Sequence, residues 1–297
     1  MNRGSRTTVC LFGAYPVRVD GRPLRLAISG PTERLFQYLL VNAGKESRRE
    51  YLAELFWRAS SLERQRSAFS SAVWRIKRQL EPVEGLNLQC DGPVVSLEVD
   101  EAITVDAREL SRVVHSVSPG AGMSEEEANR LQAALDACDA PFMEGVTADW
   151  VLTERERLFN LQIRGLTILM HWLGQRRRYE EALEIGRRLL AADPARESAQ
   201  CEVMWLYVLN GQRAQALRQF HCFRTWLKQE LDIEPMPETK ALHDHIRRDL
   251  DASNVSDSEH SDDRADNESD KASYDSLLGA IERSRRELFE VLNSQFK

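Results

Sequence analysis

Residues 63–80, ERQRSAFSSAVWRIKRQL, give the clearest indication of the fold of the first part of the chain. Apolar side chains recur at helical spacing and predict one buried face of a long helix: Phe69, Val73, Ile76 and Leu80. The other face is basic and rich in hydroxyls: Arg66, Ser67, Ser70, Ser71, Trp74, Arg75, Lys77 and Arg78. Such a face suits a DNA major groove, because Arg and Ser bond base edges while Lys and Arg hold phosphates. A basic face that is merely exposed to solvent has the same pattern.

Two shorter helices and a small sheet precede this stretch. Apolar runs on either side of Asp20-Gly21 predict a β-hairpin, since these residues tolerate the positive φ of a tight turn. A first helix is expected from Gly30-Pro31 to about Gly44. S-x-x-E capping boxes at Ser47–Glu50 and Ser60–Glu63 predict the starts of the second and third helices.

Pro82 ends the third helix, and a further hairpin is predicted around Asp91-Gly92, where Pro93 alters the turn. The order of sheet, three helices and hairpin predicts a winged-helix domain of the α+β class over residues 1–104. This order supports DNA binding more strongly than the charge of the helix does.

Arg48 and Arg49 follow Ser47 at the start of the second helix, where free amides and the helix dipole favour an anion. We therefore expect a phosphate contact there, and the alternative is two exposed arginines without function. Trp74 is expected either to contact DNA or a partner, or to be partly packed against the protein.

Residues 105–250 are predicted to be helical almost throughout, so the chain as a whole is expected to be mainly α. A capping box at Ser124 and Glu127 predicts one helix, and another is expected from Trp150 to Leu173. Two similar helices begin near Tyr179 and Arg213, so that Ala182 and Ala216 lie 34 residues apart. This period predicts tetratricopeptide-like repeats, closed by a short helix from Glu238 to about Leu250.

The last part of the chain is different in composition. Residues 251–270 carry eight acidic residues against Arg264 alone, whereas residues 1–80 carry 15 Lys and Arg against 6 Asp and Glu. We predict an acidic disordered linker over 251–273 and an amphipathic helix over 274–297, which either docks a partner or packs back on the repeats. The opposed charges suggest that the tail restrains the basic face.

Other function classes find little support in the sequence. No apolar stretch is long enough to span a membrane, and no signal peptide is legible, so a cytoplasmic, nucleoid-associated protein is expected. The five cysteines lack metal or disulfide spacing and are expected to be reduced and mostly buried. No phosphate-binding loop or HExxH motif is present, and His243 and His245 are spaced to point apart on a helix. We therefore expect no enzyme, no cofactor and no metal site.

Several segments together resemble the Streptomyces antibiotic regulatory protein (SARP) family over roughly residues 9–249. They are LFGAYPVRVDGRPLRL, RLFQYLLVNAG, YLAELFW and WRIKRQLEP in the first half, and TVDARELSRVV, DWVLTERERLFNLQIRGL, RRYEEALEIGRRLLAADPARE and LNGQRAQALRQFHCFRTWLKQELDIEP in the second. The resemblance implies an OmpR-type winged helix followed by a bacterial transcriptional activation domain. It further implies an activator that binds direct promoter repeats, often as two copies, and touches RNA polymerase.

By the same resemblance, Ser70, Ser71 and Arg75 fall where such helices contact bases, with Ser67, Lys77 and Arg78 near phosphates. This chain departs from the family at the wing hairpin, where Gly92-Pro93 replaces the usual Gly-Tyr pair. The alternative function is an interaction scaffold of tetratricopeptide type, in which the winged helix no longer binds DNA.

Overall fold

The fold is described from a computed structural model, which covers residues 7–13, 17–58, 61–117 and 122–253, with backbone only for 249–253. Contacts divide the chain into two compact units, Met1–Gln162 and Ile163–Lys297. This boundary differs from the division at residues 104 and 105 that the sequence predicts, because the first unit also holds the helices that follow residue 105.

The first unit begins with small strands and continues with helices. Its elements are β1 (Thr7–Val9), β2 (Val17–Val19), β3 (Arg22–Pro23), α1 (Pro31–Val41), β4 (Ser47–Arg48), α2 (Arg49–Trp57), α3 (Leu62–Leu80), β5 (Leu86–Asp91), β6 (Val94–Val99), β7 (Thr104–Val105), α4 (Asp106–Ser116), α5 (Glu125–Ala137) and the first part of α6 (Asp149–Gln175). The predicted hairpin at Asp20-Gly21 is confirmed, with φ of 52° and 76° at the two turn residues.

Two sheets frame the helices of this unit. One has the strand order β3-β2-β1-β7, in which β1 pairs antiparallel to β2 and parallel to β7. The other has the order β4-β6-β5 and is antiparallel throughout. The core of this unit is apolar and includes the fully buried Leu35, Phe36, Leu39, Leu40, Leu52, Phe69, Ile76 and Leu97.

Asp106 connects the first strand region to the start of α4. Its carboxylate accepts hydrogen bonds from the amides of Leu11 (2.9 Å), Phe12 (3.0 Å) and Ala107 (2.7 Å). Burial raises the pKa of this carboxyl from 3.8 to about 6, although the three amides act in the opposite direction. The first strand is therefore held by a residue almost a hundred positions later in the chain.

Aromatic contacts extend the same core to residues beyond 140. The rings of Phe12 and Phe142 lie 5.5 Å apart, and those of Tyr38 and Trp150 lie 5.2 Å apart, both edge to face. Arg155 donates hydrogen bonds to the carbonyl oxygens of Phe142, Met143 and Val146. The winged-helix elements and the beginning of the helical domain thus share one core.

The second unit is entirely helical in its described part. It holds the end of α6, α7 (Tyr179–Ala192), α8 (Glu197–Leu209), α9 (Arg213–Glu230) and α10 (Pro237–Ser253). The predicted helix starts at Tyr179 and Arg213 are confirmed, and Ala182 and Ala216 are fully buried. A mainly α protein with a small N-terminal sheet region is therefore confirmed.

Gly186 lies where helices of this unit approach one another closely. A Cβ atom at this position would lie 2.6 Å from Val203 Cγ2 of α8 and 3.1 Å from Met170 Sδ of α6. Real Cβ atoms hardly ever approach so closely, so α7 packs at this distance because residue 186 has no side chain. The sequence reasoning assigned close packing to the two alanines and missed this glycine.

The three predicted capping boxes have different outcomes in the structure. Ser47 belongs to β4 and pairs with Val95, so Arg48 becomes the N-cap of α2, and the predicted Ser47–Glu50 capping box is wrong. The N-cap of α3 is Ser61, without a side-chain capping bond, and Ser60 lies outside the described residues. The box at Ser124 and Glu127 is confirmed, with both of its hydrogen bonds present.

The predictions for the tail lie almost wholly outside the described residues. Helix α10 reaches Ser253, beyond the predicted end near Leu250 and into the predicted 251–273 linker, and the 274–297 helix is not described. Within the residues that are described, no helix combines the length and the apolar character needed to cross a membrane.

Candidate nucleic-acid interface

Helix α3 separates a buried from an exposed face, as its sequence pattern predicts. Its buried residues are Gln65, Phe69, Ala72, Val73, Ile76 and Leu80. All eight residues of the predicted basic face are exposed: Arg66, Ser67, Ser70, Ser71, Trp74, Arg75, Lys77 and Arg78. The helix therefore presents four cationic groups and three hydroxyls on an exposed surface.

Trp74 lies on this surface and outside the core. Its side chain is 59% exposed, and the guanidinium carbon of Arg78 lies 5.4 Å from its ring centroid. An aromatic ring with a cation above it offers both an apolar face and a charge to a partner. Of the two sequence interpretations of Trp74, the structure favours an available side chain over a packed one.

Arg48 and Arg49 have different surroundings although they are neighbours at the start of α2. Arg48 is exposed and pairs with Val94 in the sheet, whereas Arg49 is half-buried. Arg49 donates from Nη1 to the carbonyl oxygen of Gly92 (3.1 Å) and from Nη2 to Ser70 Oγ (3.3 Å). Its guanidinium carbon also lies 5.6 Å from the ring centroid of Phe69.

Glu50 contacts α3 instead of capping α2. One of its carboxylate oxygens lies 3.0 Å from Arg66 Nη2, and the two side chains are 79% and 68% exposed. An ion pair this exposed contributes little stability, about 0 to 1 kcal/mol. The pair nevertheless places one carboxylate beside the basic face. The sequence analysis assigned Glu50 to a capping box and therefore did not predict this contact.

The hairpin of β5 and β6, called the wing from here on, lies next to α2. Asp91 pairs with Val94, so the two turn residues are Gly92 and Pro93, with φ of 56° at Gly92. The predicted Asp91-Gly92 turn is therefore shifted by one residue, because proline cannot donate to the strand ladder and occupies the turn instead. The carbonyl oxygen of Pro93 accepts a hydrogen bond from the Arg49 amide (2.9 Å).

The described residues contain no cluster of His, Cys, Asp and Glu with the geometry of a metal site. The ring of His243 stacks on Phe220 at 4.1 Å and that of His245 on Trp205 at 6.2 Å, which explains this histidine pair by packing. Only Cys138 and Cys201 are buried, and Cys222 is exposed, so the expectation of mostly buried cysteines is wrong.

Residues 105–247 match the family described as "Bacterial transcriptional activator domain". The chain is 24% identical over 253 residues to the transcriptional regulatory protein MoaR1 of Mycobacterium bovis, a match that covers 79% of this chain and 78% of the relative. It is also 24% identical over 237 residues to the regulatory protein AfsR of Streptomyces coelicolor, covering 79% of this chain and 24% of that larger protein.

Among solved structures, that of Mycobacterium tuberculosis EmbR in complex with a low-affinity phosphopeptide is similar. The TM-score is 0.65 at 19% identity, with 96% of this chain and 70% of that chain covered. This likeness confirms the fold, a winged helix followed by a helical domain.

The family match and the names of the relatives confirm the resemblance drawn from the sequence and indicate a regulator, not an enzyme. Residues 105–247 thus match the bacterial transcriptional activator domain, and most of the chain is similar to proteins named as transcriptional regulators.

Proposed function

We propose that the protein binds promoter DNA sequence-specifically through α3 and activates transcription from there. The observation that carries the proposal is the exposed face of α3, where every residue expected from the sequence to contact DNA is accessible. In this function Ser70, Ser71 and Arg75 read base edges, while Ser67, Lys77 and Arg78 contact phosphates, with Arg48, Arg49, Arg66 and Trp74 beside them.

Affinity comes mainly from the cations of this surface. Lys and Arg that neutralise phosphates release condensed counterions, so binding weakens as the salt concentration rises. The proposed regulator is an activator that binds direct repeats, associates as two copies on DNA and contacts RNA polymerase through the activator domain. The family match over residues 105–247 supports the activator role.

Selection from a random-sequence duplex library, followed by gel-shift titration of the full chain, tests the proposal. We expect one enriched motif, present as a direct repeat, and an affinity that falls steeply between 50 and 200 mM salt, by about a thousandfold for six phosphate contacts. Enrichment of no motif would contradict sequence-specific binding. Promoter transcription with purified bacterial RNA polymerase tests activation, and an unchanged transcript level would contradict it.

Arg75→Ala gives a sharper test of base reading. Removal of a bidentate base contact should cost about 1 to 3 kcal/mol at one base position and leave the affinity for random duplex nearly unchanged. Arg34→Ala is the matched control, since Arg34 is an exposed arginine of α1 outside the predicted interface. An equal loss on selected and random DNA would identify Arg75 as a phosphate contact.

A second candidate function is a protein-interaction scaffold, which one observation in the second unit favours. Leu231, Ile233 and Met236 are 50%, 49% and 44% exposed in the loop between α9 and α10. Exposed apolar side chains grouped in this way are typical of protein contacts. A scaffold would show no motif in the selection, whereas a DNA-binding regulator that also uses this loop would show one.

A further inference from the structure

The side chain of Arg49 lies where α2, α3 and the wing meet. Its two terminal nitrogens bond acceptors of different elements, the Gly92 carbonyl oxygen in the wing turn and Ser70 Oγ on α3. The Arg49 amide bonds the next carbonyl of the same turn, that of Pro93. One residue therefore joins three elements that are separated by 21 and 43 positions in the chain.

The chemistry of these contacts requires a guanidinium. A planar fork reaches two acceptors in fixed directions at once, whereas the ammonium of lysine is a point charge on a flexible stem. The Phe69 ring below the guanidinium is 1% exposed and belongs to the core. The orientation of the Arg49 fork is thus set by rigid neighbours on both sides.

The same contacts define how Ser70 can bond a partner. A serine hydroxyl has one donor and two acceptor positions. Ser70 Oγ donates to the Arg66 carbonyl oxygen (2.9 Å) and accepts from Arg49 Nη2. The remaining position of this exposed hydroxyl is an acceptor, and the major-groove donors that it fits are the amino groups of adenine and cytosine.

We propose that Arg49 is a positioning residue that fixes the wing turn to α3 and presents Ser70 as a hydrogen-bond acceptor for one base amino group. This inference rests on the proposed DNA binding for its second half, while the first half concerns the free protein alone. It differs from the phosphate contact expected from the sequence, because the charge of Arg49 matters less than the fork of its donors.

Hydrogen exchange of the free full-length chain tests the first half. Arg49→Lys keeps the charge and the aliphatic stem but not the fork, and Arg48→Lys is the matched control at the adjacent position. We expect amides at residues 49 and 94 to exchange about fivefold faster in Arg49→Lys, the effect of one lost hydrogen bond, and to be unchanged in Arg48→Lys. Wild-type exchange in Arg49→Lys would overturn the proposal.

DNA binding by wild type, Arg49→Lys and Arg49→Ala tests the second half. For Arg49→Lys we expect about tenfold weaker binding to the selected site, with random-duplex affinity and salt slope unchanged. If Arg49 contacts a phosphate instead, Arg49→Lys should bind DNA like wild type. Arg49→Ala should then reduce the dependence of log affinity on log salt concentration by about one. This outcome would overturn the proposal.

Base analogues identify the atom that Ser70 reads. Replacing adenine by purine, or cytosine by 2-pyrimidinone, deletes only the amino group. At one position this deletion should weaken wild-type binding and leave Ser70→Ala binding unchanged. Equal losses for the two proteins at every position would overturn the acceptor role. If the wild-type chain selects no duplex, the proposed function fails, and hydrogen exchange alone then decides whether Arg49 fixes the wing.

Discussion

The two units of the molecule are stabilised over very different sequence distances. In the first unit, β1 pairs with β7, Asp106 accepts from the amides of Leu11 and Phe12, and the Phe12 ring contacts Phe142. In the second unit, each helix packs mainly on its neighbours in the chain, α7 on α8, α8 on α9 and α9 on α10. We therefore expect the first unit to fold and unfold as one assembly, whereas the described part of the second unit depends mainly on local contacts.

Removal of the long-range contacts should have the largest effect. A fragment of residues 1–104 lacks Val105, Asp106, Phe142 and Trp150, which all contribute to the core or the first sheet of the first unit. We expect it to show no cooperative thermal unfolding by circular dichroism. A fragment of residues 1–162, which ends at the unit boundary, should unfold cooperatively. Equal melting of the two fragments would show that the first unit does not need these contacts.

The carboxyl of Asp106 should give the first unit a particular pH dependence. Its pKa is raised from 3.8 to about 6 in the fold, so the folded state binds the proton more tightly than the unfolded state. The free energy of unfolding that this group contributes is therefore greatest below about pH 4 and falls as the pH rises through 6, by about 3 kcal/mol in total.

Urea unfolding of wild type and Asp106→Asn between pH 4 and 7.5 measures this contribution of Asp106 to the free energy of unfolding. The free energy of unfolding of wild type, minus that of Asp106→Asn, should decrease as the pH rises, because the asparagine does not titrate. Asp149→Asn, at an exposed position, is the matched control variant. A constant difference for Asp106→Asn would contradict the raised pKa.

A smaller effect is expected in the second unit, at Gly186. Alanine there gains up to about 1 kcal/mol of helix propensity but places a Cβ atom 2.6 Å from Val203 Cγ2. Overpacking of this kind costs about 1 to 3 kcal/mol, so we expect Gly186→Ala to destabilise the second unit by about 1 kcal/mol. Combination with Val203→Ala should recover part of the loss in a double-mutant cycle measured by urea unfolding. Stabilisation by Gly186→Ala alone would contradict the close approach.

The contrast between the units also explains what the sequence could predict. The spacing of Ala182 and Ala216 predicts the repeats because a helix pair is a local structure with a fixed period. The exposed face of α3 is predictable for the same reason, since helical periodicity alone separates Arg75 and Ser71 from Phe69. Local patterns of this kind indicated the fold class and the candidate surface.

Contacts between distant segments have no corresponding pattern in the sequence, so they could not be predicted from it. Nothing near Asp106 indicates that its carboxylate accepts from Leu11 and Phe12, and nothing near Arg49 indicates a bond to Gly92. Glu50 matched a capping box in the sequence, but the pairing of Ser47 with Val95 moved the start of α2 and left Glu50 to contact Arg66. These residues depend on tertiary packing, which one sequence without its relatives does not show.

The parallel pairing of β1 with β7 has a consequence for the order of events during synthesis. The first strand leaves the ribosome long before Thr104, Asp106 and Phe142, so it must wait for most of the first unit to be made before it can reach its final neighbours. Formation of contacts so distant in sequence is slow, since loop closure must precede them. Strand β1 is translated before the other described elements, and yet its pairing with β7 must form late, whereas α7 to α10 can pack in the order in which they are translated.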